Sequence, residues 1–225
     1  PGLNDSPLHL IRGGLNYNLE LRWEGVPSLA DALRMLRDQA LRTPSPQWVR
    51  VVGGWSEFQF AERRMPTLDE INAAAPDTPV FILHLYDRAL LNRAALKVVG
   101  YTKETPNPPG GEIQRDSNGN PTGMLIARPN AMLLYATLAK GPKLPLEQQV
   151  NSTRQFMREL NRLGLTSAID AGGGFQNYPD DYDVIAELHA KKQLTVRIAY
   201  NLFTQRPGHE LEDFEKWTDM LKPGQ

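Results

Sequence analysis

The chain has 225 residues, 40% of them hydrophobic and 23% charged, and no cysteine. That length allows a sizeable hydrophobic core, and the missing cysteines exclude disulfides and thiolate metal ligands. Any metal must therefore be held by His, Asp, Glu or a modified Lys. A formal net charge of −1 offers no basic field for nucleic acid, and no apolar run approaches the roughly 20 residues needed to cross a bilayer.

Residues 1–6 carry neither a basic nor an apolar signal region, which gives the expectation of a cytoplasmic protein. The Pro1-Gly2 opening without Met and the close at Lys222-Pro223-Gly224-Gln225 give the expectation of a piece of something longer. From Ser28, a good N-cap, Leu29, Leu33, Leu36 and Ala40 recur on one face of a helix. Residues 48–53 then read as a buried strand, short and β-branched. Thr67 and Glu70 form a capping-box pattern before a short helix, and 79–84 reads as a second buried strand. Residues 88–99 look helical and stop at Gly100, a natural left-handed terminator.

The pattern breaks over 101–125. A Pro-Gly loop at 106–111 leads into a hairpin turning at 117–119. This reads as an insertion, either a lid or, more ordinarily, a connection. Pro145 opens a long helix ending at Gly164, and 165–170 and 194–200 read as further strands. Helices over 182–191 and 210–221 follow, the second aligning Leu211, Phe214 and Trp217.

Strands alternating with helices imply a parallel sheet, whose functional groups gather at the carboxyl ends of its strands. Those exits here carry Asp5 and His9; Trp55 and Glu57; His84, Tyr86, Asp87 and Arg88; Asp170; and Tyr200 with Asn201. Taken singly, His84 reads as a core histidine sooner than a ligand, Asp5 as a turn residue, and Asp170 as a cap of the next helix. The glycines 172–174 lack the spacing of a phosphate-binding loop. There is no G-x-S-x-G elbow, and His189 and His209 lie on a solvated helix and in a Pro-Gly loop, so no Ser/His/Asp triad can be built.

The segment from Pro1-Gly2 through Asp5-Ser6-Pro7-Leu8-His9 resembles the first-strand signature of the metal-dependent amidohydrolase superfamily. There, Pro-Gly-x-x-Asp-(Ser/Thr/Cys)-His-x-His directs two imidazoles to one side of a strand. The run Gly110-Gly111-Glu112-Ile113-Gln114-Arg115-Asp116, with Gly119-Asn120-Pro121-Thr122-Gly123 after it, is similar to a block of the YtcJ-like branch, which is related to N-substituted formamide deformylases. Asn92 to Leu96 and Leu163 to Ser167 fit the same branch.

The resemblance implies a (β/α)8 TIM-type barrel that hydrolyses amide-like C–N bonds with water activated by one or two divalent metals, commonly zinc. It implies His9 as a metal ligand, with Trp55, Glu57, His84, Tyr86 and Asp170 as pocket candidates. We expect residues 1–225 to form a single incomplete domain, the leading half of that barrel, with about five βα units and no β-sandwich.

Pro7 stands where the first histidine belongs, and the later His and Asp ligands have no counterpart before Gln225. One imidazole does not hold a catalytic zinc, which takes about three protein ligands, so this chain alone is expected to be inactive and to bind no metal by itself. The expected partners are a small-molecule substrate and either the remaining half of the barrel or a second copy, with no nucleic acid and no membrane. The alternative is a degenerate, non-catalytic member acting as a small-molecule binding or scaffold domain. A third reading is an unrelated open α/β sheet.

Overall fold

A computed structural model describes residues 2–172 and 176–221. In chain order it contains β1 (Leu3–Leu8), α1 (Leu10–Asn16), β2 (Glu20–Leu21), α2 (Leu29–Arg42), β3 (Val49–Val51) and α3 (Leu68–Ala74). There follow β4 (Val80–His84), β5 (Arg88–Leu91), α4 (Arg93–Val99), β6 (Gly111–Arg115), β7 (Pro121–Ala127) and α5 (Met132–Leu138). The chain closes with α6 (Leu146–Arg162), β8 (Leu165–Asp170), α7 (Asp183–Ala190), β9 (Arg197–Tyr200) and α8 (Glu210–Leu221). These elements form two compact units, one of residues 1–18 with 144–225 and one of residues 19–143.

The first unit is built on a parallel sheet in the order β1-β8-β9. Leu8 pairs with Asp170, and Asp170 with Tyr200, so the three strands end together. Parallel neighbours need a crossover, and α7 supplies it between β8 and β9. Along β8 the side chains alternate: Ala168 is buried while Ile169 is exposed. The buried face packs against Leu10, Ile11 and Leu15 of α1, Val150, Met157 and Leu160 of α6, and Val184, Ile185 and Leu188 of α7. On α8 the expected stripe is only partly used: Trp217 is buried against the ring of Tyr178, whereas Leu211 and Phe214 are exposed.

The second unit holds a six-stranded mixed sheet, β2-β3-β4-β5-β7-β6. β2, β3 and β4 run parallel, and the β4–β5, β5–β7 and β6–β7 pairs are antiparallel. The expectation of about five strands in one barrel sheet is corrected here. The strands read at 48–53 and 79–84 belong to this second sheet, and β8 and β9 belong to the first. Both segments alternate with helices, and local pattern alone does not say which sheet a strand joins.

Within 101–125 the expected hairpin forms as β6 and β7, and β7 also pairs with β5, so the hairpin extends the second sheet. Its turn is set by Asp116, whose Oδ1 accepts from the backbone N–H groups of Asn118 and Asn120. Gly123, inside β7, has φ +104°, and a Cβ there would meet the Leu91 carbonyl oxygen at 2.3 Å, so only glycine fits.

Residues 88–91 form a strand where the sequence suggests a helix. Ala89, Leu90 and Leu91 are all buried between neighbouring strands, and the helix begins only at Arg93. Asn92 makes that change of direction. Fully buried, it accepts at Oδ1 from Val80 N–H and from Ala95 N–H, both at 2.9 Å. Its Nδ2 donates to the carbonyls of Ala75 and Thr78 at 2.6 and 2.9 Å. One amide thereby caps α4 and ties it to β4 and to the end of α3. The capping box at Thr67 and Glu70 forms as expected, as does the left-handed stop at Gly100.

Candidate functional site

The expected site residues divide between the two units. His9 and Asp170 lie in the first; Trp55, Glu57, His84 and Tyr86 lie in the second.

In the first unit the three strand ends place His9, Asp170 and Tyr200 at one end of the sheet. His9 is the N-cap residue of α1. Asp170 is 2% exposed and spends its carboxylate on backbone. Oδ2 accepts from Ile11 N–H and Oδ1 from Gly172 N–H, each at 2.8 Å. It does cap a helix, but α1, 159 residues away, rather than the one that follows it. The pKa of His9 is held below the ordinary value, first by burial and then by Arg12, against the opposing pull of Asp170 and the Gly172 backbone. Glycines 173 and 174 lie outside the described residues. Tyr182, beside Asp170, is pushed up to about 12 by burial and by that carboxylate, so its phenol stays neutral.

In the second unit His84 ends β4 and is buried between two carboxylates. Nε2 lies 2.8 Å from Glu57 Oε2, and Nδ1 lies 2.8 Å from Asp87 Oδ1. Glu57 belongs to a short 3-10 turn after β3, and Asp87 to the β4–β5 turn, where Leu85 and Tyr86 have φ +48° and +75°. The Trp55 ring stands edge-on to the imidazole at 5.2 Å, and its Nε1 donates to the Leu83 carbonyl. Both carboxyls are held below their ordinary pKa despite burial: Glu57 by its own backbone N–H and His84, Asp87 by Arg88 and His84.

The structure thus brings Trp55, Glu57 and His84 together. Tyr86 does not join them: it is 57% exposed, and its ring lies 5.9 Å from that of Tyr135, tilted by 43°. Sequence reasoning missed Asp87 as the second partner of His84. The signal was available, since residues three apart across a tight turn can face each other.

A metal does not fit these residues. Among the described residues no group of three or more His, Asp or Glu side chains could hold an ion. Both Asp170 oxygens and both His84 ring nitrogens already have partners, and Pro7 has no donor beside His9.

The first unit is of the α/β class, with polar side chains gathered at the carboxyl ends of its parallel strands, where such folds place their sites. The chain belongs to the amidohydrolase family, whose sequence profile matches residues 1–225. YtcJ of Bacillus subtilis (strain 168), which carries an amidohydrolase name, is 34% identical over 137 residues, 60% of this chain and 26% of that protein. The N-substituted formamide deformylase of Arthrobacter pascens is 30% identical over 173 residues, covering 76% of this chain and 32% of the enzyme. An uncharacterized metal-dependent hydrolase from Pyrococcus furiosus shares the fold, with a TM-score of 0.57 at 19% identity, over 97% of this chain and 40% of that one. The matched part therefore spans from about a quarter to a third of these two sequence relatives. No helix among the described residues is long and apolar enough to cross a membrane.

Proposed function

We propose that this chain contributes to a hydrolase of amide-like C–N bonds and that residues beyond these 225 supply most of the ligands for a divalent metal, zinc in the first instance. The family match over residues 1–225 carries this reading. Among the described residues His9 is the candidate ligand, because it is exposed and stands just past the end of a parallel strand. The relative named as an N-substituted formamide deformylase suggests small N-acyl amines as the first substrates to try. The test is amine release from a panel of N-formyl and N-acyl amines by the complete protein, beside its His9→Ala variant. Turnover that falls at least tenfold in the variant supports the reading; turnover unchanged by the substitution overturns His9 as a ligand.

A second reading, a non-catalytic binding or scaffold domain, is favoured by one observation: Pro7 leaves His9 without a partner, and no other ligand group forms among the described residues. Absence of hydrolysis across the panel, with retained binding of an amide, selects it.

A further inference from the structure

We propose that the groove between α7 and β9 is a binding site for an organic cation, an ammonium group carried on an aromatic or alkyl body. The groove lies wholly within the first unit and has a volume of about 350 Å³. Two walls make it. Asp183, Ala186 and His189 recur at three-residue spacing on the exposed side of α7. Ile198 and Tyr200, two apart on β9, point to one face of the sheet. Ala186 ends at Cβ, so the helix wall is low where a longer side chain would fill the space.

The lining offers a cation both of the things it needs. Tyr178, Tyr182 and Tyr200 form one aromatic cluster, with ring centroids 5.1 Å apart for Tyr182 and Tyr200 and 5.3 Å apart for Tyr178 and Tyr182. Burial raises the Tyr178 phenol and pushes Tyr182 up to about 12, so both stay neutral. A neutral ring attracts a cation to its face within about 6 Å of the centroid. Asp183 adds a carboxylate, which makes no hydrogen bond or ion pair among the described residues. No lysine or arginine among them lines the groove to compete for it.

The rest of the lining fixes the body of the ligand. Ile185, Leu194 and Ile198 supply apolar surface, which favours a hydrocarbon portion beside the charge. An anion of the same shape meets Asp183 and the negative ring faces and is repelled. A neutral analogue keeps the apolar contact and loses the attraction to rings and carboxylate.

Three probes of one shape test this on the chain itself: phenethylammonium, phenethyl alcohol and hydrocinnamate, followed by the methyl NMR signals of Ile185 and Ile198. The ammonium is expected to shift both methyls and to bind about tenfold tighter than the alcohol, with the carboxylate weakest. Asp183→Asn should weaken the ammonium about threefold and leave the alcohol unchanged. Ala186→Leu, at an exposed helical position, should abolish the shifts by filling the groove. No shift with the ammonium, equal affinity for ammonium and alcohol, or binding undiminished in folded Ala186→Leu overturns the proposal. The same titration on the complete protein separates a ligand site from a surface covered by further chain: binding retained there supports the site, and binding lost overturns it. No arm reads turnover, so this site and the hydrolase reading fail separately.

Discussion

His84 and Glu57 meet at 2.8 Å between Nε2 and Oε2, joining the end of β4 to a turn 27 residues earlier in the chain. The imidazole is 5% exposed, and its other nitrogen faces Asp87.

Replacing His84 leaves the half-buried Glu57 carboxylate without its partner. His84→Gln is expected to lower unfolding free energy by about 1–3 kcal/mol, read from urea midpoints. The effects of His84→Gln and Glu57→Gln should not add, because each removes the same contact. Strict additivity would show that the pair is not coupled. Glu57 and Asp87 are held below their ordinary values, so their share of stability is present above pH 4.5 and 3.8. It is lost as pH falls further and both carboxyls protonate in the fold.

Asn92→Ala strips four hydrogen bonds from a fully buried position. The orphaned groups include the N–H of Val80 and the carbonyl of Ala75. The expected loss is about 3 kcal/mol or more, measured by denaturant unfolding. Asn92→Asp keeps the acceptor and loses both donors, so it should remain costly. A change below about 0.5 kcal/mol, the range of ordinary surface substitutions, would contradict the capping role.

Glu20 on β2 titrates at about 7, raised from 4.5 by burial against the opposing pull of Arg22 and Arg50. Between those values the folded chain holds a proton that the unfolded chain has released. Stability from this group therefore falls as pH rises from 4.5 to 7 and is level beyond. Denaturation midpoints of the wild-type chain and Glu20→Gln at pH 5, 6, 7 and 8 test this. The variant should remove the declining slope, whatever its mean stability; parallel curves would place Glu20 in ordinary solvent.

The pattern of residues discloses the elements better than their partners. Ser28, Thr67, Gly100 and Pro145 mark helix boundaries because caps and stops act within one turn of chain. Residues 88–91 read as part of the following helix, since the short apolar run Ala89-Leu90-Leu91 suits a buried strand or a buried helix. The division into two sheets was illegible, because β1 finds β8 across more than 150 residues. The same distance hid the role of Asp170: its partner Ile11 lies 159 positions away. The meeting of Trp55, Glu57 and His84 was suggested by their places after strands, yet Asp87 completes the contact and Tyr86 turns outward.

The most direct test of the account is metal content by plasma mass spectrometry, on this chain and on Pro7→His, after dialysis against trace zinc. The account predicts less than one-tenth equivalent of zinc on the parent, because His9 stands without enough partners among the described residues. Retention by Pro7→His alone would identify position 7 as the place where the pair was broken. One tightly held equivalent on the parent would contradict the account and require a ligand set that these residues do not form.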